Sequence, residues 1–176
     1  MRVFVLIIIL ISGCQINEAY RLSEDEKLVH VLLSKIAKKL KNEMGLIPCG
    51  NAAQMMDQIK MLGLSFDYFY PVDIDTAREF LVEAVEKFAH EVNSDESLRP
   101  YLNNYPFEPK NILIEIYVKT REWKDFGSGE LCIVVASEGV LKYKIHDPEN
   151  GRLKTIYRET FEEALQKVNR VKEKSG

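Results

Sequence analysis

Histidine and cysteine are scarce in this chain, three of each among 176 residues, and there is a single tryptophan. The cysteines show no Cys-x-x-Cys spacing and the histidines no pairing, so zinc and thioredoxin-like chemistry find no footing. Charge of one sign is also lacking. The formal net charge is −3, and no basic cluster is interleaved with aromatics, which leaves no electrostatic footprint for nucleic acid. Gly127-Ser128-Gly129 and Cys49-Gly50-Asn51 lack the flanking strand, helix and lysine of a phosphate loop. Asp67, Asp73 and Asp75 do not have the spacing of a calcium loop. No cofactor and no metal is called for, and no residue is singled out as catalytic. There is no internal repeat, and no apolar run reaches the ~20 residues that a membrane-crossing helix needs.

What is present begins at the amino terminus. Arg2 precedes the apolar run Val3 to Ile11, and small residues then lead into Cys14. A charged start, a hydrophobic middle and a small-residue end are the order of a secretory signal. The ending Ile11-Ser12-Gly13-Cys14 resembles the lipobox of bacterial lipoproteins. That resemblance implies a signal peptide over 1–13, cleavage before Cys14, acylation of Cys14 and a lipidated tether over 14–22. It also implies an exported protein held on a membrane by its acyl chains. Gln15 follows the cysteine where the enteric retention pattern has aspartate, which by the same resemblance points to the outer membrane, facing the periplasm. The competing readings of the run are an uncleaved anchor and a core strand, the latter because β-branched Val and Ile dominate it.

Residues 23–172 read as one globular domain, with a frayed tail over 173–176. Ser23-Glu24-Asp25-Glu26 is a capping box, and a helix follows to about Glu43 with Leu28, Leu32, Ile36 and Leu40 inward. Lys35, Lys38, Lys39 and Lys41 near its end read as a solvated face complementing the helix dipole. Leu46 to Asn51 reads as loop or short irregular strand, and Ala52 to Asp57 as a helical turn. Ile59 to Tyr70 is strand-like. Asp73 caps a helix running to about Val92, and Asn103 to Lys110 is a rigid loop. Ile112 to Val118 alternates as a half-buried strand, and Leu131 to Ser137, apolar on both faces, reads as a central one. Glu138-Gly139 is a tight hairpin turn into Val140 to His146, and Leu153 to Tyr157 adds an edge strand. Thr160-x-x-Glu163 opens a last helix with Phe161, Ala164, Leu165, Val168 and Val171 inward. The expected class is α+β: an antiparallel meander sheet of four to five strands with three helices packed mainly on one face.

Gly45-Leu46-Ile47-Pro48-Cys49-Gly50, the segment from Met55-Met56 to Tyr70, and Arg99-Pro100-Tyr101-Leu102 through Asn104-Tyr105-Pro106-Phe107 are similar to a family of small lipoproteins from chlamydia-like intracellular bacteria. That resemblance bears on location and implies no activity.

Three functional readings remain. The first is a lipid-anchored, non-enzymatic envelope domain that binds a protein partner through Arg99, Tyr101, Tyr105, Trp123 and Phe126, residue types that dominate binding hot spots. The second is a small-ligand binder using a cleft between helices and sheet. The third is an envelope hydrolase or thiol enzyme pairing Cys49 with His30, His90 or His146. Export would permit a disulfide between Cys49 and Cys132, whereas the apolar run around Cys132 favours a buried free thiol.

Overall fold

The computed structural model describes residues 22–127 and 129–175. Their order is α1 (Glu24–Met44), β1 (Ile47–Met55), β2 (Ile59–Tyr68), α2 (Ile74–Ser94), two short 3-10 turns (Arg99–Tyr101 and Pro109–Asn111), β3 (Ile112–Val118), β4 (Leu131–Ser137), β5 (Val140–His146), β6 (Leu153–Thr160) and α3 (Phe161–Ser175). The signal-peptide segment, Cys14 and the tether before Leu22 lie outside the described residues.

Local sequence explains the ends of the elements. Ser23 and Glu26 exchange hydrogen bonds across the first turn of α1, and Gly45 stops that helix in the left-handed region at φ 69°. Asp73 accepts from the Thr76 amide at 2.8 Å to open α2. Thr160 and Glu163 form the same reciprocal pair at α3. Glu138 and Gly139 both have positive φ, 54° and 74°, as a two-residue turn of the primed type requires.

The sheet has six strands in the order β1-β2-β3-β4-β5-β6. That corrects the expected four to five. The all-antiparallel meander is corrected too, because β2 and β3 pair in parallel, Leu62 beside Ile112 through Tyr68 beside Val118. A parallel pair needs a crossover, and α2 provides it. The extra strand is β1. Ile47–Met55 forms one continuous strand where a loop or short irregular strand and then a helical turn were expected, with register shifts between Pro48 and Gly50 and between Gln54 and Met55.

One face of the sheet carries the core. Leu62, Leu64 and Phe66, then Ile112, Ile114, Ile116 and Val118, then Val134, Ala136, Leu141, Tyr143 and Ile145 are buried together with the inner stripes of all three helices. Burying a Leu, Ile or Phe contributes about 1.5–3 kcal/mol, so this layer holds the fold. Among the described side chains of α3, only Phe161, Ala164 and Val168 are buried; Val171, expected inward, is 53% exposed. That helix also continues to Ser175, through residues expected to fray.

Among the described residues, no helix covers the opposite face. In β2 it carries Gly63, whose position against the parallel neighbour leaves no room for a side chain. An added Cβ would meet Leu113 Cβ at 2.7 Å and the Leu113 carbonyl oxygen at 2.9 Å. Gly63→Val is therefore expected to destabilise the domain by about 3 kcal/mol, the upper end of overpacking costs. A urea midpoint within error of the wild type would contradict the close approach of β2 and β3.

Candidate functional site

The concavity best suited to hold a ligand lies between α1 and β1, and its origin is legible in side-chain size. Only Gly45 and Leu46 connect these elements, so β1 must run back along the helix. A 21-residue helix and a nine-residue strand are each about 30 Å long, and they lie alongside one another. In β2 the core-facing residues are Leu62, Leu64 and Phe66. Their partners in β1 are Ala53, Asn51 and Pro48. These are too small to fill the space under the helix, while Leu32, Ile36 and Leu40 of α1 point into the core instead.

The result is a trough of about 490 Å³, lined on the helix side by Val29, His30, Leu33, Ser34 and Ala37. Pro48, Asn51, Ala53 and Met55 line its strand side, with Leu64 as part of the floor. The volume falls within the range of small-molecule and peptide-side-chain sites. Leu22 and Glu26 stand at the end where the chain enters the domain. Polar groups are few. Ser34 is engaged by its hydroxyl with the His30 carbonyl oxygen at 2.8 Å, and Asn51 is exposed on the strand.

Cys49 sits at the upper register shift of β1 and is exposed as a free thiol. Burial around it and the carboxylate of Asp67 push its pKa up, while Lys119 pulls the other way. Activated cysteines need the opposite, an electropositive setting. His30 lines the same trough, His90 is exposed on α2, and His146 lies beside Asp125, 3.2 Å away. None of the three is among the main influences on the Cys49 thiol, which are burial, Asp67, Lys119 and Glu115. Cys132 is a buried free thiol on β4. With β2 and β3 between them, Cys49 and Cys132 are about 14 Å apart at the spacing of neighbouring strands, beyond the reach of a disulfide.

The five residues expected to form one partner patch are not brought together. Arg99 stacks on Tyr105, 4.5 Å from its ring centre, near the start of β2, where Leu102 bridges Ile59. Tyr101 and Phe126 are half-buried against the core. Trp123 lies beyond the far end of β3 and is 65% exposed. It is held at φ 66°, an unfavourable conformation for a bulky side chain. The Lys119 ammonium lies 4.2 Å from its ring centre, and Phe69 meets it edge-on. Beneath that ring, Lys119 contacts Asp67 at 2.6 Å. Asp67 is itself buried.

Two lysines expected to be solvated have partners as well: Lys35 and Lys39 clamp Glu91 of α2 at 2.8 and 2.7 Å. They draw the Glu91 carboxyl down to about 2. The trough itself gave no sequence signal beyond the run of small residues from Gly50 to Ala53.

The fold and the site define an α+β domain with one open sheet face and a helix-and-strand trough. Comparison with protein-family models, with curated proteins and with solved structures found no match. Among the described residues, no helix is long and apolar enough to cross a membrane.

Proposed function

We propose that this chain is a bacterial lipoprotein, anchored through Cys14, whose domain binds an apolar ligand or partner segment in the trough between α1 and β1. The observation that supports the binding role is the trough itself, walled by Val29, Leu33, Ala53 and Leu64 and left open by the small residues of β1. Seven residues separate Cys14 from Leu22 at the trough's mouth. Extended, they reach at most about 25 Å. An anchor at Cys14 therefore keeps this end of the trough close to the bilayer.

Two measurements test the two halves. Metabolic labelling with palmitate is expected to mark the wild type and to vanish in Cys14→Ala; persistent labelling would refute the anchor. N-phenyl-1-naphthylamine, an apolar dye, is expected to brighten on adding the wild-type chain. Ala53→Phe, which fills the trough, should reduce that signal at least tenfold. An unchanged signal in a folded Ala53→Phe chain would refute the ligand site.

A second reading, a protein-partner contact centred on Trp123, is favoured by one observation. The side chain is displayed to solvent on a backbone conformation that costs on the order of 1 kcal/mol or more to hold, and such strain clusters at functional sites.

A further inference from the structure

Every backbone amide and carbonyl needs a partner, and the outer edge of a sheet leaves a row of them to solvent. The two outer strands are β1 and β6. They differ in a telling way. β6 carries Lys154, Arg158 and Glu159, charges of the kind that discourage pairing with another chain, whereas Ile47–Met55 contains no charged residue. Pro48 and the two register shifts limit the regular part of β1 to Gly50–Gln54. Those five residues run along the trough, three of them lining it or its rim.

We propose that edge and trough work together as a strand-addition site. An extended segment of a partner polypeptide pairs its backbone with Gly50–Gln54, and every second side chain drops between β1 and α1. This deepens the reading above and rests on the trough being the ligand site. A strand is the occupant that satisfies a row of amides and carbonyls to which no other described strand is paired, and side-chain pockets beside an edge strand select what is added.

The walls fix the chemistry of that segment. Val29, Leu33, Ala53 and Leu64 require apolar side chains at alternate positions. One turn beyond Ala37, on the same side of α1, stands Lys41 (i, i+4). It is exposed and has no ion-pair partner among the described residues, and β1 supplies no acid to face it. Charge complementarity therefore places a carboxylate, from a side chain or a chain terminus, at the end of the segment nearest Pro48. An acyl chain is a poorer occupant. Its methylenes are each stabilised by about 0.8 kcal/mol in a bilayer, and an open trough covers only one side of it.

The test is selection of random octapeptides, displayed on phage, against the immobilised full chain. Enriched peptides are expected to carry apolar residues at every second position and an acidic residue or free carboxylate at one end. Binding of a synthetic copy should slow hydrogen exchange of amides within Gly50–Gln54 at least tenfold. Ala53→Phe should weaken it at least tenfold, and Lys41→Glu, a surface change that leaves the fold intact, should shift selection from acidic to basic ends. Enriched peptides without alternation, or binding without slowed exchange in β1, would overturn strand addition. If no peptide is enriched but the naphthylamine dye still enters the wild type and is excluded by Ala53→Phe, this inference fails and the ligand-site reading stands. If the dye is not bound either, both fail. Protection of the same amides that rises with protein concentration and no peptide would make the occupant a second copy, and would overturn the assignment to a partner.

Discussion

Glu159→Ala is expected to lower the stability of the domain by about 3–5 kcal/mol, the usual cost of removing one member of a buried charged pair. Glu159 is 4% exposed near the end of β6. Its Oε1 accepts from Arg78 Nε at 2.6 Å and from the Tyr143 hydroxyl at 2.7 Å, and its Oε2 accepts from Lys167 at 2.6 Å. Three elements meet there: α2 through Arg78, β5 through Tyr143 and α3 through Lys167. Truncation leaves the Arg78 guanidinium, also buried, with only the exposed Asp75, and leaves the Tyr143 hydroxyl without an acceptor. Lys167 is 41% exposed along its side chain, so its share is small. Tyr143→Phe, which removes one hydrogen bond and keeps the ring, should cost about 0.5–1.5 kcal/mol. Urea unfolding of the two variants checks both the size and the order of these effects.

The same residue sets a pH dependence. Burial pushes the Glu159 carboxyl up, but Lys167, Tyr143 and Arg78 outweigh it and leave the pKa below the ordinary value. Glu91, held by Lys35 and Lys39, falls to about 2. Both are depressed in the folded state. Their contribution is complete above the unfolded carboxylate value near 4.5 and is lost as pH falls towards the folded values, where the unfolded chain binds more protons. Stability should therefore fall from about pH 4.5 towards pH 2, and Glu159→Ala should flatten that slope. A slope unchanged by the substitution would mean that Glu159 titrates alike in folded and unfolded chains.

Which of these features could be read from the sequence follows from how far apart the interacting residues lie. Capping boxes at Ser23 and Thr160, the cap at Asp73 and the turn at Glu138-Gly139 act over three or four positions, and each marks the element it begins or joins. The alternation in Ile112 to Val118 fixed a strand and its buried face, but it reads the same for parallel and antiparallel neighbours. Only the crossover through α2 decides that β2 and β3 are parallel. β1 was legible at most as a short irregular strand before Ala52, because Cys49, Gly50, Asn51 and the two alanines neither alternate nor favour β structure. That weakness in local signal and the emptiness of the trough have one cause, a run of small side chains. Lys39 and Glu91 lie 52 positions apart, and each looks like a solvated charge on its own helix. The five aromatic and arginine residues around Arg99 and Trp123 were near in composition and far in space, since a seven-residue strand separates the two ends of the sheet.

Lys119→Met is expected to have a destabilising effect of similar size, about 3–5 kcal/mol, for a different reason. The side chain of Asp67 is 3% exposed, and its Oδ1 lies 2.6 Å from Lys119 Nζ. That oxygen nevertheless has no hydrogen bond of acceptable direction. Lys119 thus acts on it chiefly as a compensating charge; methionine keeps the apolar packing under Trp123 and removes that charge, together with the smaller cation–π contact to the Trp123 ring. Adding Asp67→Asn to Lys119→Met should restore most of the loss, because the uncompensated charge is then gone. The pair also bears on the reactivity of Cys49, whose pKa burial raises most, Asp67 raises further and Lys119 draws down. Alkylation by iodoacetamide at pH 8 should run fastest in Asp67→Asn, slower in the wild type and slowest in Lys119→Met. The stability and reactivity measurements are independent, and agreement between them would locate the thiol in the field of a carboxylate. A reversed order of alkylation would detach Cys49 from this pair.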